Sequence, residues 1–182
     1  STDILNEVAN QAKVVGDAVG VPFQAMGEGI KEIKTDMNTF TTTTIAQAAR
    51  ITASLNQMGL SLSGFEGMLT PFRDFDSAAD KMGDLSALFG VQIDAMEMMY
   101  LANENEEEFL HRMRDELINQ GIDVENMSAT RQRALASTLG LEVQEMKNFM
   151  LTGNREVTTL ESLRAKSAEA SSRSSEEALK AM

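Results

Sequence analysis

The sequence predicts an all-α protein, and three observations lead to this prediction. Thirteen Met, no Trp and only two Pro occur in 182 residues, and Met, Ala, Leu and Glu all favour helix. Apolar residues recur at spacings of three and four, and strand-type runs are missing apart from Thr41 to Thr44, which lacks apolar alternation. A glycine-centred turn also recurs five times. The length suits one domain, or one domain with an extension.

The recurring turn has the pattern glycine, apolar, any, apolar, any, any, then Met or Phe. Glycine can end a helix in the left-handed region, and the apolar residue after it packs back on the last turn. Ser61 and Asp123 are suited to cap the next helix, and Pro22 to begin one. The final Met or Phe should lie on the buried side of that helix. The sequence therefore predicts helix–turn–helix corners at Gly20, Gly59, Gly90, Gly121 and Gly140.

The first helix ends at the first of these corners, and the second carries a narrow apolar stripe with the spacing of a coiled-coil seam. This N-terminal stripe consists of Phe23, Met26, Ile30, Ile33, Met37 and Phe40. Gly27 and Gly29 interrupt the helix and cost it ~1 kcal/mol each relative to Ala, so another element must cover the stripe. Either the third helix folds back on it, or the same helix of neighbouring copies meets it. We expect the second, in a homotrimer or homohexamer.

The third and fourth helices follow in order. The third should bury Ile45, Ala48, Ile51, Leu55 and Met58. A capping box of Ser63 and Glu66 should begin the fourth, and Pro71 should kink or split it.

Each later helix carries a periodic apolar face that should be buried. These faces are Leu85/Leu88/Phe89, Ile93/Met96/Tyr100, Phe109/Met113/Leu117, Leu135/Leu139 and Val143/Met146/Met150. After Gly153 the pattern thins to Ser, Ala and charge, which predicts a polar tail that is helical or is disordered until a partner covers it. We therefore expect three segments: N-terminal helices at 1–58, a domain of helix pairs at 59–152 and the tail at 153–182.

The formal net charge is −12, and its distribution is uneven. Asp94 to Glu125 contains ten acidic and two basic residues, whereas Asn126 to Met182 is nearly neutral. An acidic chain repels nucleic acid unless its few basic residues cluster. There is no cysteine and no apolar run of about 20 residues, so neither a disulfide framework nor a membrane span is expected. Helix-forming sequence continues to Met182 without a cap, which indicates a portion of a longer chain.

The side chains that could act in catalysis or bind a metal are better explained by helix structure in this sequence. His111 lies beside acidic residues at helical spacing, typical of a surface side chain. In the acidic run that ends at Glu108, Asn105 is a good N-cap and the acids suit a first helical turn. Asp74 opens a calcium-loop pattern that fails at Ala79, where glycine is required. We expect no catalytic residue, no metal site, no cofactor and no enzymatic activity.

The stretch from Arg131 to Leu151 has the pattern of a DNA-binding helix–turn–helix. Its second helix would present Glu142 and Glu145 at the end that enters the groove, where acidic side chains face phosphates. The same corner recurs elsewhere without basic neighbours. DNA binding is therefore the weaker interpretation, and we expect no specific nucleic-acid site.

The stretch from Phe75 to Met150 resembles the tail tape-measure proteins of bacteriophages, particularly contractile-tailed ones. The likeness rests on three segments in order: FDxAAxxMxxLxxxFG from Phe75 to Gly90, FLxxMRxxLxxxG within Asn103 to Gly121, and ALAxxLGLxxxEMxxF within Arg131 to Phe149. It covers about 75 of 182 residues.

The resemblance implies a virion structural protein. Such proteins occupy the tail tube, nucleate its assembly on the baseplate hub and fix its length, so the implied partners are tube and hub proteins. The implied location is the virion tail, after assembly in the host cytoplasm. The chain is short for a complete member, because an unbroken helix of this length spans only ~270 Å. A helical interaction module of another assembly is the alternative.

Overall fold

The computed structural model describes residues 2–151 and 156–182, and this part of the chain is helical with no strand. The predicted all-α class is confirmed. The α-helices are α1 (Thr2–Val19), α2 (Phe23–Thr35), α3 (Ile45–Met58), α4 (Leu62–Leu69), α5 (Phe75–Phe89), α6 (Ala95–Glu104), α7 (Glu106–Asn119), α8 (Ala129–Leu139), α9 (Val143–Met150) and α10 (Leu160–Lys180). Short 3-10 helices span Thr70–Arg73 and Val124–Asn126.

The chain folds into two compact units, and the first is built from both of its ends. Unit 1 comprises Ser1–Gln57 and Val157–Met182, and unit 2 comprises Met58–Glu156. The unit changes after Gln57, next to the end of the predicted N-terminal segment at 58, and the predicted boundary at Gly153 lies outside the described residues. The polar tail is not a third segment, because its helix α10 packs against α1.

Helices α1 and α10 pair antiparallel through polar side chains. The buried Gln11 lies with its amide nitrogen 3.0 Å from the carbonyl oxygen of Ser167, and Asn10 donates to the hydroxyl of Ser174 at 2.9 Å. Ser167 and Ala170 are buried on the facing side of α10, and such small side chains let two helices approach closely. We expected this Ser- and Ala-rich segment to be helical, or disordered until a partner covers it; in the structure it is a helix, and its small side chains serve a helix–helix contact.

In unit 2, the corner after α3 begins a compact group of short helices. Ser61 caps α4 by accepting from the backbone N–H of Gly64 at 3.0 Å. The expected Ser63 box is therefore wrong, because the cap is already supplied two residues earlier. Pro71 does split the fourth helix, since α4 ends at Leu69 and gives way to the 3-10 helix.

The core of unit 2 contains aromatic side chains from successive helices. Phe65, Phe109 and Phe149 are fully buried, and the ring of Phe72 meets that of Phe109 edge-on at 5.1 Å between centroids. Edge-on pairs match the negative face of one ring to the positive edge of the other. The ring contact joins the 3-10 helix Thr70–Arg73 to α7, and α7 also packs against α9.

All five corner glycines lie in the left-handed region that the pattern predicts. Their φ angles are 75° for Gly20, 60° for Gly59, 70° for Gly90, 91° for Gly121 and 72° for Gly140. At the last of these corners, Leu141 is buried and its N–H donates back to the carbonyl of Ala136 at 2.9 Å. That bond pairs a carbonyl that the end of α8 would otherwise leave free.

Candidate interaction surface

The N-terminal stripe is mostly buried within one chain. Met26, Ile30, Ile33 and Phe40 are at most 2% exposed, whereas Phe23 and Met37 are 55% and 72% exposed. The expectation that these six residues join neighbouring copies is therefore wrong for the four buried ones. The stripe is also not a single helical seam, because α2 ends at Thr35, before Met37 and Phe40. Asp36 is the C-cap of α2, and its carboxylate accepts from the N–H groups of Asn38 and Thr39 in the turn that follows.

Neighbouring helices of the same unit cover the stripe. A Cβ placed on Gly29 would lie 2.7 Å from the hydroxyl oxygen of Thr52, so α3 passes against α2 at this glycine. A Cβ on Gly16 of α1 would lie 2.8 Å from the Met26 side chain. The chain thus folds back on the stripe, which is the alternative that the sequence left open.

The helix–turn–helix from α8 to α9 has its second helix occupied by contacts within unit 2. The carboxylate of Glu145 accepts from the backbone N–H of Ser61 at 3.1 Å, and the side-chain amide of Asn148 donates to the carbonyl of Gly59 at 3.1 Å. In addition, the guanidinium of Arg131 lies over the ring of Phe89 at 5.0 Å. The face that would enter a DNA groove therefore packs against the corner before α4.

The acidic run before α7 serves as a helix start. Asn105 accepts from the N–H of Glu108 at 3.3 Å as the N-cap of α7, as the sequence predicts. Glu106 and Glu107 are buried in the first turn, and burial raises the pKa of Glu106 above its ordinary value of 4.5. His111 is also buried, so its assignment to the surface is wrong.

The other candidate chemistry is likewise structural. Asp74, which opens the failed calcium pattern, caps α5 by accepting from the N–H of Ser77 at 2.9 Å. This hydrogen bond holds the pKa of Asp74 below its ordinary value. The expectation that Asp123 caps the helix after its corner is wrong, because its side chain makes no capping hydrogen bond to the 3-10 helix Val124–Asn126. The next α-helix, α8, is capped by Ser128, which accepts from the N–H of Arg131 at 3.2 Å. Within residues 2–151 and 156–182, no group of three or more His, Cys, Asp or Glu side chains is arranged to hold a metal ion.

One predicted core face is on the surface instead. Met96 and Tyr100 of α6 are 55% and 64% exposed, and the neighbouring Ile93 and Met99 are only half-buried. We name these four residues the α6 ridge. The expectation that Met96 closes its corner against the core is wrong, because α6 buries the opposite face, with Met98, Leu101 and Ala102.

The composition of α6 contained a signal for this ridge that the sequence analysis missed. From Met96 to Leu101 only Glu97 is not apolar, and so dense a run covers more than one face of a helix. A helix of this kind is buried on all sides or keeps an apolar face exposed. Periodicity alone selected the wrong one of the two faces, because both have spacings of three and four.

Three acidic residues lie on or next to the helix that carries the α6 ridge. Asp94, Glu97 and Glu104 are exposed on or beside α6. Arg112 of α7 forms an ion pair with Glu97 and a longer one, at 3.7 Å, with Glu108. The hydrogen bond that Arg112 donates to the Glu97 carboxylate raises the pKa of Arg112 above its ordinary value. The ridge is therefore an apolar surface in a strongly negative setting.

Comparison of the chain with family models, with curated proteins and with solved structures found no match. Among the helices in the described parts of the chain, none combines the length and the apolar character needed to cross a membrane.

Proposed function

We propose that this chain is a structural protein of a bacteriophage tail, a portion of a tape-measure protein associated with the baseplate hub. In this role it takes part in nucleating the tail tube and in setting its length. The observation that carries the proposal is the ordered resemblance from Phe75 to Met150, which falls entirely inside unit 2.

The positions that carry the resemblance support the proposal because they are the ones on which the fold of unit 2 depends. Most of the apolar motif residues are buried, whereas Phe75 is 48% exposed and Phe89 is half-buried. The buried ones include Met82, Leu85, Phe109, Met113, Leu135, Ala136, Met146 and Phe149. The motif glycines Gly90, Gly121 and Gly140 lie in the left-handed region. Buried apolar positions and turn glycines thus make up most of the likeness, and these are the positions that shared packing requires of two sequences.

A structural role also agrees with how the polar side chains are used. Asp74 and Asn105 cap helices, and Arg114 donates to the carbonyl of Phe149 at 2.8 Å, near the end of α9. We accordingly propose a protein without catalytic residues or cofactor, which acts by binding tube and hub proteins. Tail symmetry implies several copies, three or six. Their contacts must use surfaces other than the buried part of the N-terminal stripe.

The test uses virions of the phage whose genome encodes the chain. Antibodies raised against unit 2 should label gradient-purified tails by immunogold electron microscopy, and peptides of the chain should be found in tails but not in tail-less heads. A nonsense mutation in the gene should abolish tails or give tubes of irregular length. If the chain is instead found in host extracts and normal tails assemble without it, the proposal is wrong.

The alternative, an interaction module in another assembly, is favoured by one observation, the exposed α6 ridge. Affinity purification of the full chain from its native cells separates the two functions. Tail tube and hub proteins should copurify if the first is correct, and an assembly without tail proteins if the second is.

A further inference from the structure

We propose that the α6 ridge is a docking site for a basic amphipathic helix of another protein. The proposal rests on unit 2 alone and does not depend on the tape-measure assignment. Met96 and Tyr100 lie one helical turn apart, with Ile93 and Met99 beside them. A partner helix can fill such a surface with apolar residues at the same spacing of three and four.

The α6 ridge is ordered by contacts within unit 2, without a partner. Asp94 caps the start of α6 by accepting from the N–H of Glu97 at 3.1 Å, and Asn103 near its end donates to the carbonyl of Phe72 at 3.0 Å. The opposite face of α6 is anchored by Met98 and Leu101 in the core. A surface that is already ordered loses little conformational entropy on binding.

The residue types of the ridge suit a protein partner. Tyr presents a large apolar ring and a hydroxyl group with few rotatable bonds, and Met adapts its shape to the surface it meets. Both are enriched at protein interfaces. An exposed pair of this kind, one turn apart, gives a partner two adjacent anchors.

Charge decides which partner fits. Asp94, Glu97 and Glu104 are exposed on or beside α6, and Arg112 pairs with only one of these three acids. A further cation placed at this helix is Arg73, which donates to the carbonyl of Ala102 and to the side chain of Asn103. The segment from Asp94 to Glu125 has a net charge of −8. A helix whose polar face carries Lys or Arg gains attraction at the rim and faster encounter. A second copy of this chain would bring the same acids face to face across a two-fold axis, so it is disfavoured.

The experiment uses the full chain and a synthetic probe, a 14-residue helical peptide with Leu on one face and Lys on the other. The methyl signals of the thirteen Met residues, labelled with carbon-13, report where the peptide binds. The signals of Met96 and Met99 should shift first on titration. The signals of Met37 and Met182, which are exposed on unit 1, should move little. Larger shifts at these two residues than at Met96 would overturn the proposal.

Two variants test the anchors against a matched control. The double change Met96→Gln with Tyr100→Gln should weaken binding of the peptide at least ~10-fold, because both apolar anchors are lost. The control, Phe23→Gln with Met37→Gln, removes two similarly exposed apolar side chains from unit 1 and should leave the affinity unchanged. Because all four side chains are more than half exposed, the variants should unfold at the same temperature as the parent. Equal affinity of the two double variants would overturn the proposal.

The charge requirement has its own test. Glu104→Gln should weaken binding, whereas Glu161→Gln on α10 should not, although both remove one exposed acid. A peptide with Glu in place of Lys should not bind, and a peptide with Gln in place of Leu should bind weakly and lose that binding as salt is raised. Binding of the Glu peptide, or dimerisation of the chain through the ridge in sedimentation, would contradict a basic partner.

Discussion

Two glycines in α2, two positions apart, have different surroundings. An added Cβ at Gly27 meets nothing within 4 Å, whereas one at Gly29 would collide with Thr52. Gly27→Ala should therefore stabilise the fold by about 0.5–1 kcal/mol through helix propensity, and Gly29→Ala should destabilise it by about 1–3 kcal/mol through crowding. Thermal or urea unfolding of the two variants measures the difference. Stabilisation by both would mean that α3 does not cover α2 as described.

Two of the corner glycines allow the cost of backbone strain to be measured separately from the cost of crowding. Gly90 and Gly140 have nearly equal φ angles, yet a Cβ at Gly90 meets nothing, and one at Gly140 would lie 3.1 Å from the carbonyl oxygen of Gly67. Gly90→Ala should cost ~1 kcal/mol for the left-handed backbone alone. Gly140→Ala should cost more, and urea unfolding should resolve the excess. Equal costs would place the α8–α9 corner farther from α4.

Burial of Glu106 makes a pH-dependent contribution to stability. Its pKa is raised in the fold, mainly by burial, so the fold favours the protonated form. The contribution is present in full below the ordinary pKa of 4.5 and is lost as pH rises through the folded value. Glu106→Gln should therefore raise the unfolding temperature relative to the parent at pH 7, and this gain should shrink by pH 4. If the variant were equally destabilised at both pH values, the predicted direction of the pH dependence would be wrong.

At the scale of the element, the corners were predictable and the buried faces only partly so. Glycine, an apolar residue that packs back and a new helix are all local features, so the sequence contains what is needed to place them. Met26, Phe65 and Met146 lie on buried sides as expected, whereas Met96 does not. Which face of α6 is covered depends on α5, on α7 and on the 3-10 helix Thr70–Arg73, which all pack against it. No local pattern in α6 contains that information.

The N-cap of α7, Asn105, is another feature of a single element, and its contribution to stability can be measured. Asn105→Ala removes the acceptor for the N–H of Glu108 and should cost about 1 kcal/mol, a shift of roughly 2–4 °C in the unfolding temperature for a chain of this size. Asn105→Ser keeps a capping oxygen and should recover most of that loss. Calorimetry of the three proteins decides whether the hydrogen bond or the side-chain volume matters.

At the scale of the whole molecule, distant pairing was the part that the sequence could not predict. The Ser- and Ala-rich surface of α10 resembles a solvated helix until its partner α1 is known, and Gln11 lies 156 positions from Ser167. The same limit applies to the N-terminal stripe, whose spacing fits a partner in the same chain as well as one in another copy. The spacing of apolar residues in one helix does not identify the helix that covers it.

Ending the chain after Glu156 should affect the two units differently. Without α10, the buried side of α1 around Gln11 and Ala12 loses its cover. Hydrogen exchange should then show α1 amides exchanging at nearly unfolded rates, while amides of α7 and α9 stay protected. A peptide of residues 157–182, added in trans, should restore protection. Loss of protection throughout unit 2 would mean that the units do not fold separately.

The pairing of α1 with α10 also imposes an order on biosynthesis. A ribosome adds about 5–20 residues per second, and 156 positions separate Gln11 from Ser167. Newly made α1 must therefore wait roughly 8–30 s for the helix that covers its polar side. All of unit 2 emerges during that interval. Helix α1 is thus fully enclosed later than the helices of unit 2, and for those seconds the surface that α10 will cover is open to chaperones.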